Sequence, residues 1–268
     1  MNNDWFRHDE HSASGVSSFI ELLLHSGRTY HYYRGHREVS WELEPLVDRV
    51  KHGPLTRRDH EIQMFEEFKR RSLAFLGARP ANDWEFLALA RHHGLPTRLL
   101  DWTENPLAAL FFAVEEPSKG DSAVWSYVHD ALGKTRPDPS TTDPMSVDRL
   151  VLYQPPHFHP RIAVQASLFT VHSADWKRAA DPWSGPLSMI IIPRAQRSRI
   201  RHELFRLGVH RAALFPDLDN AATHISRTWI LQSDETSALD VAPNKRLQRA
   251  AGPKRRVRKK GPGLPRRR

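Results

Sequence analysis

The chain has no cysteine among its 268 residues. Disulfides and thiolate metal sites are thereby excluded, and a reducing compartment suits the composition. No run approaches eighteen apolar residues, so no membrane-spanning helix is expected. The first ten residues, Met-Asn-Asn-Asp-Trp-Phe-Arg-His-Asp-Glu, lack the basic and apolar regions of a secretory signal. The expectation is a soluble cytoplasmic protein with no membrane partner. No P-loop, dinucleotide-type glycine fingerprint, nucleophile elbow or His-Glu-x-x-His pattern is present, so the commonest phosphate, serine-hydrolase and zinc chemistries have no foothold. No metal site is expected.

The net charge of +9 is unevenly spread: Lys245 to Arg268 holds twelve Lys or Arg and no acid. The rest of the chain has twenty-eight basic against thirty-one acidic residues, close to −3. The tail is rich in Pro and Gly and poor in large apolar residues, a composition that cannot bury a core and is expected to be disordered. It reads either as a nucleic-acid-binding arm or as a solvated extension. The expected organisation is an N-terminal lead (1–14), a folded body (15–232) and the basic tail (233–268).

Within the body, Ser18 and Glu21 have capping-box spacing before an apolar helix that ends at Gly27. Thr29 to Gly35 is aromatic and compact and reads as a strand. A long amphipathic helix carries Ile62, Phe65, Phe68 and Phe75, and Asn82 with Glu85 proposes the cap of the next helix. That helix stops at Gly94. After a short extended segment, Thr97 to Asp101, Asn105 caps a further helix with Pro106 at its first position. Later, Ala123–Val128, Arg161–Val171 and Leu187–Ile192 read as strands, 129–160 as a long loop with six prolines, and Arg197–Leu207 as a helix closed by Gly208. Val209–Leu214 reads as a final strand and Asp217–Trp229 as a final helix. Strands and helices do not alternate regularly, so the fold class is α+β: a single mixed domain with a small central sheet flanked by helices.

The polar focus lies between Leu87 and Ala113, where a dense set of polar side chains sits between buried elements. Arg34, followed by Gly35, offers planar donors for a phosphate or carboxylate, or else an internal ion pair with Asp101 or Glu104. His92 and His93 point about 100° apart on a helix and do not suit one metal ion. Asp101, Trp102 and Thr103 could hold a ribose and base by hydrogen bonds and stacking, or could satisfy the turn and fill the core. Thr97 and Arg98 lie beside them. Gln165 is placed mid-strand on a polar strip, facing solvent or a pocket.

Tyr33-Arg34-Gly35 and the run His92 to Thr103 resemble the FRG domain family, named for a Phe-Arg-Gly motif. The family's hallmark is similar to Gln-His-x-Gly-Leu-Pro-Thr-Arg-Leu-Leu-Asp-Trp-Thr, with Arg91 here in place of the Gln. Arg161-Ile-x-x-Gln165-x-x-x-Phe169 and Leu214-Phe215-Pro216-Asp217-Leu218 resemble its later blocks, so the likeness extends over roughly residues 15 to 230. The family has no settled activity. A weaker likeness to ADP-ribosyltransferase-like domains implies that Arg34 clamps a dinucleotide phosphate, Trp102 or Tyr33 stacks on nicotinamide, and Gln165 orients the ribose, with NAD as substrate. A Gln cannot stabilise developing positive charge as a carboxylate does. These readings give a nucleotide pocket with Arg34, Asp101 and Gln165 as its catalytic set. Tyr33, His92, His93, Thr97, Arg98, Trp102 and Thr103 bind the ligand. The alternative is a module that recognises a nucleotide, nucleic acid or protein partner without turnover, in a bacterial defence or stress response.

Overall fold

The computed structural model describes residues 11–25, 32–128, 136–179, 183 and 186–229. Among them, seven strands form one sheet: β1 (His11–Ser12), β2 (Tyr32–His36), β3 (Leu99–Thr103), β4 (Ser122–Tyr127), β5 (Val151–Tyr153), β6 (Ser167–Val171) and β7 (Leu187–Ile192). Their order is β1-β7-β4-β2-β3-β6-β5, with β1 parallel to β7 and every other neighbour antiparallel. The α+β expectation holds, around a sheet larger than the small one expected.

The helices are α1 (Val16–His25), α2 (Arg57–Ser72), α3 (Asp83–His92), α4 (Pro106–Val114), α5 (Pro160–Val164), α6 (Arg197–Arg206), α7 (Arg211–Leu214) and α8 (Leu218–Trp229). Local chemistry sets their ends. Asn82 Oδ1 accepts from Glu85 N at 3.0 Å while Glu85 reaches back to Ala81 N at 2.8 Å. Asn105 accepts from Leu107 N and Ala108 N, with Pro106 in the first turn. Gly94 closes α3 at φ +85° and Gly208 follows α6 at φ +79°. At α1 the Ser18–Glu21 box does not form. Ser18 accepts instead from Ser14 N and Gly15 N, and Glu203 of α6 caps Val16 N at 2.7 Å.

Strand alternation sends side chains to two different layers. On one face, α1, α4 and α6 pack on β4 and β7 through Phe19, Ala109, Leu110, Val124, Ile190 and Ile200. Toward the β6 and β5 edge, Phe65, Trp84 and Leu87 of α2 and α3 pack with Leu99, Val151 and Phe169. A third cluster is aromatic: Trp102, Trp125, Tyr127, Trp176 and Trp183 lie with Leu100, Leu168 and Met189. The tryptophans outside the sheet in this cluster come from loops.

Two strand readings and one loop reading are corrected. Arg161–Val171 is not one strand: His159 caps α5, Pro160 starts it, and β6 begins only after Ala166 turns the chain at φ 45°. Val209–Leu214 is not a strand, because the His210 ring accepts from Ala213 N and starts α7. The loop expected over 129–160 contains β5, whose three residues are all buried. Strand β1 at residues 11–12 also draws part of the expected N-terminal lead into the sheet. The chain divides after Trp229, and the basic tail, Lys245–Arg268, lies outside the described residues. Among the described residues, no helix is long and apolar enough to cross a membrane.

Candidate functional site

Strand β2 is pressed against α4 at Gly35. A Cβ there would lie 2.0 Å from the Ala109 carbonyl oxygen and 2.6 Å from the Ala113 nitrogen. Only glycine allows this approach, and Ala109 with Ala113 supplies the small helix face that meets it. The residue before it, Arg34, faces the other way by alternation. Strand β2 pairs with β3 through Tyr33 and Thr103 alone. Past that pair the Arg34 guanidinium takes over, its Nη1 donating to the Asp101 carbonyl at 2.8 Å and lying 3.4 Å from Asp101 Oδ2.

Arg91 reaches the same carboxylate from the last turn of α3, with Nε and Nη2 at 2.9 and 2.5 Å from Oδ2. Arg49, the last residue of the turn at 46–49, is near enough to act electrostatically on Arg34, Arg91, Asp101 and His36. Its own support is Glu44, whose carbonyl accepts from Nη2 at 2.7 Å. Two guanidinium groups, Arg34 and Arg91, therefore converge on one carboxylate, while Arg49 stands nearby and pairs with Glu44 at 3.9 Å. Burial pulls the Arg34 guanidinium down to about 10 despite Asp101. Burial raises the Asp101 carboxyl, but Arg91 and Arg34 more than reverse this and hold it at about 2. The cluster is a partly buried positive centre whose charge one carboxylate does not balance. Its unused donors, Arg34 Nη2 and Arg91 Nη1, have no partner among the described residues.

His36 orients Arg34. Its Nε2 accepts from Arg34 Nε–H at 3.0 Å, and burial, then Arg34 and Arg49, push it down to about 2, so the ring stays neutral. The ring is held edge-on by Trp41 and Trp125.

Of the residues expected from sequence, Arg34 and Asp101 meet, as the ion-pair alternative foresaw. His92 adjoins them. Its ring stacks on His159 at 6.2 Å, and burial lowers it to about 4 although Asp101 works in the other direction. His93 also faces His159, at 6.1 Å.

The remaining residues are placed elsewhere. Tyr33 turns toward the α4 side of the sheet. Arg98 is fully buried: Glu61 takes its backbone N–H, Nε and Nη2, and Pro144 O takes Nη1. Thr97 is buried beside it, with its Oγ1 3.3 Å from Leu99 N. Trp102 fills the aromatic cluster and donates to Thr170 Oγ1 at 2.9 Å. Thr103 donates to the Gln165 carbonyl at 2.5 Å and accepts from Asn105 N, the satisfied-turn alternative. Gln165 ends α5, off any strand, and its amide donates to the Leu214 carbonyl at 2.9 Å. The expected triad of Arg34, Asp101 and Gln165 thus reduces to a pair.

Sequence reading missed Arg49 and His36 and treated Arg91 only as a departure from a motif. The signal was present for Arg91: it stands at the end of α3, ten residues from Asp101 across a tight reversal. Among the described residues, no group of three or more His, Asp or Glu is arranged to hold a metal ion.

Residues 29–122 match the family model of the FRG domain. The matched segment contains Arg34, Arg49, Arg91 and Asp101 and ends before Gln165, so the later blocks around residues 161–169 and 214–218 lie outside it. Comparison with curated proteins and with solved structures gave no match.

Proposed function

For a chain that carries an FRG domain, we propose that the domain binds a phosphate-bearing nucleotide, with NAD among the ligands it takes, and that it does so without turnover. The observation that supports this is the convergence of Arg34 and Arg91 on a single carboxylate, with Arg49 close enough to add its field. A phosphate offers oxygens for planar guanidinium donors and supplies the negative charge that Asp101 alone does not. Asp101 would then act as a rim acceptor for a ribose hydroxyl. What weighs against ADP-ribosyl transfer is Gln165, whose amide is already held by the Leu214 carbonyl.

Calorimetry on the full chain tests the proposal. NAD, ADP-ribose, ADP and inorganic pyrophosphate should bind, while adenosine and nicotinamide should not. The Arg34→Gln and Arg91→Gln variants should each weaken binding about tenfold or more, the loss of one charge-assisted contact. If no phosphate compound binds the folded protein, the proposal is abandoned. Sustained release of nicotinamide from NAD would replace it with the transferase reading.

The proposal includes a cytoplasmic setting and assigns any nucleic-acid binding to the tail, on the strength of the twelve basic residues between Lys245 and Arg268. Deleting residues 230–268 should abolish salt-sensitive retention on single-stranded DNA and leave nucleotide affinity unchanged. Retention that survives the deletion would place nucleic-acid binding in the body.

A further inference from the structure

We propose that the ligand's aromatic ring stacks on Trp41, which makes a nucleoside phosphate the preferred class over phosphate compounds that lack a ring. This rests on the reading of the arginine cluster as the phosphate site.

Trp41 is unlike the tryptophans of the aromatic cluster, being 38 % exposed where Trp102 is 2 %. A singly exposed indole needs no explanation of its own; what marks this one is its place beside a charged cluster. Its position is set from two sides. His36 and the indole meet in a T-shaped contact with centroids 6.1 Å apart, and the Arg37 guanidinium lies over the ring, 5.0 Å from its centroid, so an incoming base either takes the other face or displaces Arg37. The Trp41 backbone is fixed as well, its N–H donating to the Glu38 carbonyl at 3.2 Å. A half-open indole held in this way loses little freedom when a ring settles on it.

The link from Trp41 to the phosphate donors is direct. His36, which touches the indole, is the group that accepts from Arg34 Nε–H at 3.0 Å. One buried imidazole therefore separates the aromatic surface from the guanidinium, and in this proposal the ribose and first phosphate span that step along the surface. Arg49 closes the same loop that carries Trp41, so the two features are delivered by one stretch of chain, residues 37–49. Stacking a base on an exposed aromatic beside basic side chains is a general mode of nucleotide binding, and it tolerates different bases because each has a π face.

The test compares ADP with inorganic pyrophosphate on the full chain and on Trp41→Leu and Trp41→Phe, with thermal melts to verify folding. Trp41→Leu should weaken ADP about tenfold and leave pyrophosphate unchanged, while Trp41→Phe should restore most of the ADP affinity. If Trp41→Leu leaves ADP affinity unchanged, the ring lies elsewhere and the stacking proposal fails while the phosphate site stands. Equal weakening of ADP and pyrophosphate would make Trp41 a support for the arginines, which also overturns it. If wild-type protein binds neither, the phosphate site itself is wrong. An affinity for oligothymidylate that grows with length and exceeds that for ADP would replace the nucleotide with a single strand of nucleic acid.

Discussion

At Asp101 one oxygen, Oδ2, meets Arg91 at 2.9 and 2.5 Å and Arg34 at 3.4 Å. In the absence of a ligand this carboxylate supports the two guanidinium groups, and it competes with any incoming anion for them. Two effects of Asp101→Asn therefore run in opposite directions. The variant should be less stable, because partly buried arginines lose their counter-charge. It should also bind pyrophosphate more tightly, by about tenfold, because the neutral amide removes a like charge next to the phosphate. Paired melting curves and titrations would show both. Weaker pyrophosphate binding by a folded Asp101→Asn protein would mean that the carboxylate holds the arginines in their binding geometry, and the competition argument would be wrong.

Among the elements, β2 and α4 show how one motif can serve packing and chemistry in adjacent residues: Arg34 supplies donors and Gly35 lets the helix approach. Gly35→Ala forces a methyl into the Ala109 carbonyl and Ala113 nitrogen, both of them backbone atoms that cannot swing away. The expected cost is about 3 kcal/mol, the upper range for overpacking, measurable as a drop in the urea midpoint. The turn between α5 and β6 poses the reverse case. Ala166 sits at φ 45°, where an L residue costs about 1–2 kcal/mol. Ala166→Gly relieves this strain but adds roughly 0.4–1 kcal/mol of unfolded-state entropy. A net gain of about 0.5 kcal/mol is expected, and a lower melting temperature would contradict it. This turn also shows what the sequence could and could not reveal. Caps at Asn82 and Asn105 and the stops at Gly94 and Gly208 were legible because each acts on its own neighbours. The break at Ala166 was not, since the alternation from Arg161 to Val171 looks continuous and the turn is fixed by distant contacts from Thr103, Glu104 and Leu214. For the same reason the Arg34–Asp101 pair was one alternative among several. Deciding it required the placement of β2 beside β3, and Arg49 required the path of an irregular loop. Arg98 was misplaced because its partner Glu61 sits on α2 among charged residues, with nothing local to mark it as buried.

For the molecule as a whole, two buried neutral histidines tie stability to pH. His36 is held at about 2 by burial, with Arg34 and Arg49 adding to it. His172 is held at about 3 by burial, then by Arg57 and Arg34. His172 also ends a chain in which Trp102 Nε1–H donates to Thr170 Oγ1, which in turn shares a hydrogen bond with His172 Nε2 at 3.0 Å. An unfolded histidine titrates near 6.5. Between that value and the folded values, the unfolded chain binds protons that the folded chain refuses, so stability rises with pH across this window and is complete above it. At pH 5 each histidine lowers stability by about 2 kcal/mol relative to pH 7.5, a large share of the roughly 5–15 kcal/mol typical of a domain. Asp101, also depressed, contributes in a lower window: its stabilisation is present above about pH 4 and lost as pH falls toward 2. The urea midpoint should therefore fall steeply from pH 7 to pH 5, above the window in which Asp101 acts. Substituting His172 with Gln, which cannot protonate, should remove about a third of that slope, because His36 and also His92, which burial holds at about 4, carry the rest. A midpoint that stays flat from pH 7.5 to pH 5 would show that neither histidine keeps its buried, neutral setting in solution, and with His36 would go the fixed orientation of Arg34.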